Sequence, residues 1–118
     1  MEDSILISIK KLLGITEDFI QFDADIIMHI NSVFCILTQL GVRCENSFCI
    51  TGDTEVWSDF ISNSEILGTV KTYTYLRVRL LFDPPQNSSV IASIEKNISE
   101  LEWRINAAVD FKEVSQNE

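Results

Sequence analysis

Glu65-Ile66-Leu67-Gly68-Thr69-Val70-Lys71-Thr72-Tyr73-Thr74-Tyr75-Leu76-Arg77-Val78-Arg79-Leu80-Leu81-Phe82-Asp83-Pro84-Pro85 is the stretch on which the fold turns. With Ile66 as origin and about 100° per residue, Val70, Tyr73, Leu80 and Leu81 all fall within about 60° of it, which is one face of a helix. Asn63 or Ser64 supplies a cap. Pro84 and Pro85 disfavour the helical conformation in the residue before them and remove two donors, so the helix has to stop at Asp83. Leu67, Tyr75, Val78 and Phe82 lie outside the main stripe, and only Gly68, Thr72 and Arg79 form a polar strip. A helix apolar over most of its circumference is covered on several sides. It is either the central helix of a bundle or partly covered by a second molecule. Arg77 falls inside the stripe, where an unpaired charge would cost several kcal/mol. It must snorkel, pair internally with Asp25 or Glu102, or lie at a subunit contact.

The flanking segments are helical too. Ile5, Leu6, Ile9, Leu12 and Leu13 recur at helical spacing before Gly14. Ile26, Ile30, Val33, Leu37 and Leu40 follow with Asp23 as cap and Gly41 just past the end. After the prolines, Asn87-Ser88-Ser89 opens a helix whose Ile91, Ile94, Ile98, Leu101 and Ile105 form a seam that requires a partner. The stretch 42–56 lacks helical period and reads as a long connection. It admits a short β-hairpin, with strands around Phe48–Thr51 and Glu55–Trp57 about a turn at Gly52-Asp53. The sequence therefore predicts an all-α bundle of about four helices with a long loop between the second and third. Residues 1–109 form one domain, and 110–118 a flexible acidic tail.

The chain has 118 residues, 46% of them hydrophobic, with nine Lys and Arg against 18 Asp and Glu, for a net charge of -9. This length supports one core without staples. No stretch is long and apolar enough to span a membrane, and the acidic Met-Glu-Asp start is unlike a secretory signal. The charge argues against tightly held duplex nucleic acid. Cys35, Cys44 and Cys49 are an odd number in a chain without a signal, which reads as free thiols in a reducing cytosol.

Catalytic chemistry finds little support. His29 lies one turn after Asp25, but no nucleophile or metal partner matches it, and it reads as a boundary residue. Cys44 and Cys49 would need Cys35 and His29 to complete a zinc site, and those two point in different directions from one helix. The four glycines are isolated, so there is no phosphate loop. The sequence predicts no enzyme, cofactor or metal. Two tryptophans carry more information. Trp103 falls opposite the seam of its helix, where an indole either anchors an interface or lies against loop 42–60 of its own chain. Trp57, in the irregular region, docks on its own domain or on a neighbour.

Ile5 to Ile15, Asp25 to Asn31, and above all Val70-Lys71-Thr72-Tyr73 with Tyr75 to Pro85, resemble the head-tail connector, or head-completion, proteins of tailed phages and prophages of Gram-positive bacteria. The resemblance spans about Met1 to Ala108, with Arg43-Cys44-Glu45-Asn46 unusual within it. It implies a mostly helical subunit, made in the host bacterial cytoplasm and incorporated into the virion. Such subunits form a ring under the portal, extend the DNA channel, and offer a surface to a tail-side connector protein. The candidate interface residues are Trp103, Trp57, Arg77, Arg79 and Tyr75. Glu95, Glu100 and Glu102 are candidate channel-facing acids, since like charge lets DNA pass without sticking. The alternative is a cytosolic adaptor whose groove between the third and fourth long helices receives a partner helix.

Overall fold

The computed structural model describes residues 4–42, 48–61 and 64–117, with the backbone alone for Ser64 and 110–117. Five helices run in the order α1 (Ile5–Leu13), α2 (Asp23–Gln39), α3 (Trp57–Phe60), α4 (Ser64–Phe82) and α5 (Ser88–Asn117). The all-α bundle is as expected. Ser4 starts α1, its hydroxyl accepting from Ile7 N–H at 2.9 Å. Gly14 stops it at φ 83°, with Gly14 N–H donating to Lys11 O and Ile15 N–H to Lys10 O. That pairing closes the last turn, and a residue with a Cβ would be strained there.

α2 buries Ile26, Ile30, Val33, Phe34 and Leu37, the face that its spacing predicts. Asp23 is not its cap. Phe22 occupies that position without a side-chain bond, and the Asp23 carboxylate turns instead to Lys10. At the far end Gly41 adopts φ 96°, and a Cβ there would come within 2.8 Å of Val109 Cγ1 on α5. The close approach of Gly41 to Val109 thus calls for glycine twice over, for its dihedral and for its size.

The predicted hairpin does not form. Among the described residues there is no strand, only a single antiparallel bridge between Ser4 and Val56. Asn31 holds the connection in extended form by imitating a strand neighbour, its Nδ2 donating to Ile50 O at 3.0 Å and its Oδ1 accepting from Ile50 N–H at 2.8 Å. The chain then turns into α3, whose first turn is tied by Val56 N–H donating to Asp59 Oδ2. Trp57 and Phe60 enter the core from this one turn, Phe60 stacking on Phe34 at 4.0 Å. Arg43 to Ser47, with Cys44, lie outside the described residues, as do Ser62 and Asn63. The helix proposed to be capped there has Ser64 as its first residue.

α4 is the central helix. It packs against α1, α2 and α5, burying Val70, Tyr73, Thr74 and Val78. Val78, which the wheel places off the main stripe, is fully buried because α1, α2 and α5 all meet α4. Asp83 ends it at the two prolines. Asn87 Oδ1 then accepts from Ser89 N–H at 2.8 Å and opens α5. Ile94, Ile98 and Ile105 are the buried seam of α5, and helical backbone continues beyond Asp110 to Asn117. At about 1.5 Å per residue α5 accounts for most of the longest dimension, 49 Å.

Candidate assembly surfaces

Three places carry the polar and exposed residues that packing alone does not explain. The first is the contact of α4 with α5. Tyr73 is buried, and its hydroxyl donates to Glu102 Oε2 at 2.6 Å while accepting from Arg77 Nε at 2.9 Å. Arg77 Nη2 reaches the same carboxylate oxygen at 2.6 Å. Desolvation and the hydrogen bond to Glu102 push the Tyr73 phenol up to about 12. Burial would raise Glu102, but hydrogen bonds from Tyr73 and Arg77 together with the cation hold it below its ordinary value. Burial would likewise lower Arg77, and the Glu102 and Tyr73 bonds reverse that. The two ionic side chains remain 34% and 30% exposed. Arg77 is therefore an internal partner, one of the alternatives its position allowed, and the Glu102 charge is engaged within the subunit. Arg79 and Tyr75, one turn apart, are half-buried and bond to each other at 3.0 Å.

The second place is the junction of α1 with α2. Lys10 is 1% exposed, yet it carries a charge. Its ammonium donates to the carbonyls of Glu17 at 3.1 Å and Phe19 at 2.7 Å, and faces Asp23 Oδ1 at 2.9 Å. Two carbonyls accept from the ammonium, and the Asp23 carboxylate compensates its charge as an ion pair in which Oδ1 accepts no hydrogen bond, so the buried cation is paired. The result is a loop pinned from inside that holds Phe19, Ile20 and Phe22 outward. Phe22 touches Phe19 at 5.5 Å and, across the bundle end, Phe82 at 5.4 Å. Phe19, Ile20 and Phe22 are exposed, Ile20 at 72%, and Leu81, beside Phe82 in the sequence, is 53% accessible. No spacing in the sequence singles out these exposed residues. Their one signal is Phe19-Ile20-Gln21-Phe22, an apolar cluster in a connection.

The third place is the outward face of α5. Trp103 is 71% exposed, so it does not lie against loop 42–60. Trp57 takes the other course. It is fully buried, its Nε1–H donates to Ser8 Oγ at 2.9 Å, its ring meets Phe34 edge-on, and the Lys71 ammonium sits 5.7 Å from its centroid. It is a core residue rather than an interface anchor. Of the acids, Glu95 is exposed, and Glu100 pairs with Arg104 at 2.7 Å on the surface.

A model of the phage connector protein family matches residues 5–112, nearly the whole bundle. The chain belongs to the phage connector protein family. No curated protein and no solved structure matches it. The connector is thus a structural component of a phage virion, in a family whose role is structural rather than enzymatic. No helix among the described residues is long and apolar enough to cross a membrane. His29 is half-buried on α2, Cys35 and Cys49 are exposed free thiols, and no group of three metal-ligating side chains occurs among the described residues of the connector.

Proposed function

We propose that the connector forms a homo-oligomeric ring beneath the portal at the capsid vertex, joins head to tail, and extends the channel through which DNA passes. The family match over residues 5–112 carries this reading. Two features of the fold support it. A ring needs two different surfaces on each subunit, and the bundle exposes Trp103 on α5 and Phe19, Ile20 and Phe22 in the α1–α2 connection. The net charge of -9 suits a channel wall that repels phosphate, with Glu95 and Glu100 on α5 as the acids that would face the lumen.

The portal on one side and a tail-side connector protein on the other are the partners of this ring, and DNA contacts it only in passing. Assembly takes place in the host bacterial cytoplasm. Mass measurement of the purified chain, alone and with portal, tests the reading. A ring, or a monomer that becomes a ring on the portal, is the expected result, whereas a concentration-independent monomer that ignores portal sinks it. Glu95→Gln with Glu100→Gln should leave assembly intact and change packaging or ejection. Removing residues 110–118 should leave the domain 1–109 folded and weaken assembly.

The adaptor reading rests on the groove between α4 and α5, lined by Thr72, Leu76, Asn97, Glu100, Leu101 and Arg104. Its volume is about 250 Å³, and the Glu100–Arg104 pair lies on its rim. That is below the roughly 300–1,000 Å³ of a small-molecule site, and well short of a groove for a helix.

A further inference from the structure

We propose that Cys35 and Cys49 form a reversible dithiol site, which a disulfide oxidant closes into a staple between α2 and the connection that follows it. The proposal is independent of the ring reading. Two contacts fix how that connection lies on α2. Ile50 exchanges both backbone hydrogen bonds with the Asn31 side-chain amide, and about one turn further along the helix the Phe34 ring meets Phe48 at 5.9 Å. The segment from Phe48 to Ile50 therefore runs antiparallel to α2, with Cys49 between its two points of attachment. Cys35 stands one turn beyond Asn31 and next to Phe34.

Both thiols also lie on the same edge of this contact. At about 100° per residue Phe34 is about 60° from Asn31, toward the buried Ile30 and Leu37, whereas Cys35 is about 40° from it in the other direction. Side chains alternate along an extended segment, so Phe48 and Ile50 turn to the core and Cys49 away from it. Ile50 is buried, Phe48 packs on Phe34 and Phe60, and both cysteines are exposed. A helical side chain leans toward the preceding turn, which carries the Cys35 thiol back toward Asn31, the end at which Cys49 joins Ile50. The aromatic pair thus closes the contact from inside, and the two thiols line its outer edge.

Closure by a small disulfide such as oxidised glutathione takes two exchanges. One cysteine, as thiolate, attacks the oxidant, forms a mixed disulfide and expels one glutathione thiolate. The other cysteine, as thiolate, attacks the protein sulfur of that mixed disulfide, and the second glutathione leaves. The cysteine pair gives up two electrons and two protons, and the oxidant takes them up as two thiols. A reducing cytosol keeps the pair open, and an oxidising medium closes it. Closure ties α2 to the connection ahead of α3, from which Trp57 and Phe60 enter the core.

The test equilibrates the full-length connector with reduced and oxidised glutathione, quenches it with acid and maps its peptides by mass spectrometry. A link from Cys35 to Cys49 within one copy is expected as the main product. Links to Cys44, links between copies, or glutathione adducts that persist on both cysteines overturn the site. The Cys44→Ser variant then yields the effective concentration of the pair. It should be about tenfold or more higher in the folded protein than in urea, where only the intervening chain holds the cysteines together. Equal values would mean that the fold does not bring them together. Asn31→Ala should lower the folded value severalfold, and an unchanged value would overturn the positioning role of the Asn31 clamp.

Discussion

Lys10 and Arg77 are both cations on helices that pack into the core, and the fold accommodates them in different ways. Lys10 is taken fully inside, its compact ammonium divided among one carboxylate and two loop carbonyls. Arg77 stays at the boundary, its planar guanidinium shared between a phenol and a carboxylate while about a third of it meets water. A short point charge on a flexible stem suits a closed site, and a wide fork suits a contact between two helices. The difference is one of consequence. The buried cation determines the path of a loop and with it an exposed surface, whereas the boundary cation ties together two helices that a hydrophobic seam already joins.

Lys10→Met should break the first of these. It leaves Asp23 without its counter-charge and two carbonyls without their donor, and a loss of about 3–5 kcal/mol in urea unfolding is expected, partly recovered by adding Asp23→Ala. A loss below about 1 kcal/mol would mean that the loop does not depend on its buried ion. Tyr73→Phe comes next, at about 1–3 kcal/mol, because a hydrogen bond to a carboxylate is removed from a buried site. It carries a pH signature. The folded phenol is raised to about 12 from 10.0, so the neutral form is the one the fold favours. That contribution is complete below 10 and is lost as pH rises from there toward 12. Unfolding followed across this window should show a fall in wild type that Tyr73→Phe lacks.

Glu102→Gln should cost less, about 0.5–1 kcal/mol, since solvent screens the pair. Its folded pKa lies below 4.5, so its contribution is present above that value and disappears as pH falls through the folded value. Acid unfolding curves of the variant should be flatter there, and identical slopes would refute the assignment. The smallest effect belongs to Glu100→Gln, whose exposed pair with Arg104 should leave the melting curve within about 0.5 kcal/mol of wild type. A larger shift would show that the surface of α5 contributes more to stability than the comparison allows.

Much of this was legible residue by residue. Ile26, Ile30, Val33 and Leu37 are buried where a period of 3.6 places them, and Ile94, Ile98 and Ile105 form the seam that their spacing predicts. Pro84 and Pro85 stop α4 as their chemistry requires. Trp103 stood out by its angle, opposite a clean seam, and the fold decides between its two readings by leaving it exposed rather than against loop 42–60. Trp57 could not be placed this way. Its one-turn helix has no period, and its burial depends on Ser8 and Phe34, 49 and 23 positions away. Asp23 read as a cap because a local rule was available, while the carboxylate had a stronger claim on it in Lys10. The apolar loop residues Phe19, Ile20 and Phe22 carried no signal of exposure, since hydrophobic composition in a connection does not say which way it faces.

From sequence alone came the all-α class, the long helices, their buried faces, the break at the prolines and the resemblance to phage connectors, because these follow from local backbone chemistry and from periodicity. The tertiary structure decided that α4 is central, that Arg77 pairs with Glu102 rather than Asp25, that Trp57 is core and Trp103 is not, and that a buried lysine holds an apolar patch at the surface. Each of those depends on which distant groups share a dry environment, and one-dimensional spacing has no access to the cost of burying a charge until its partner is in place.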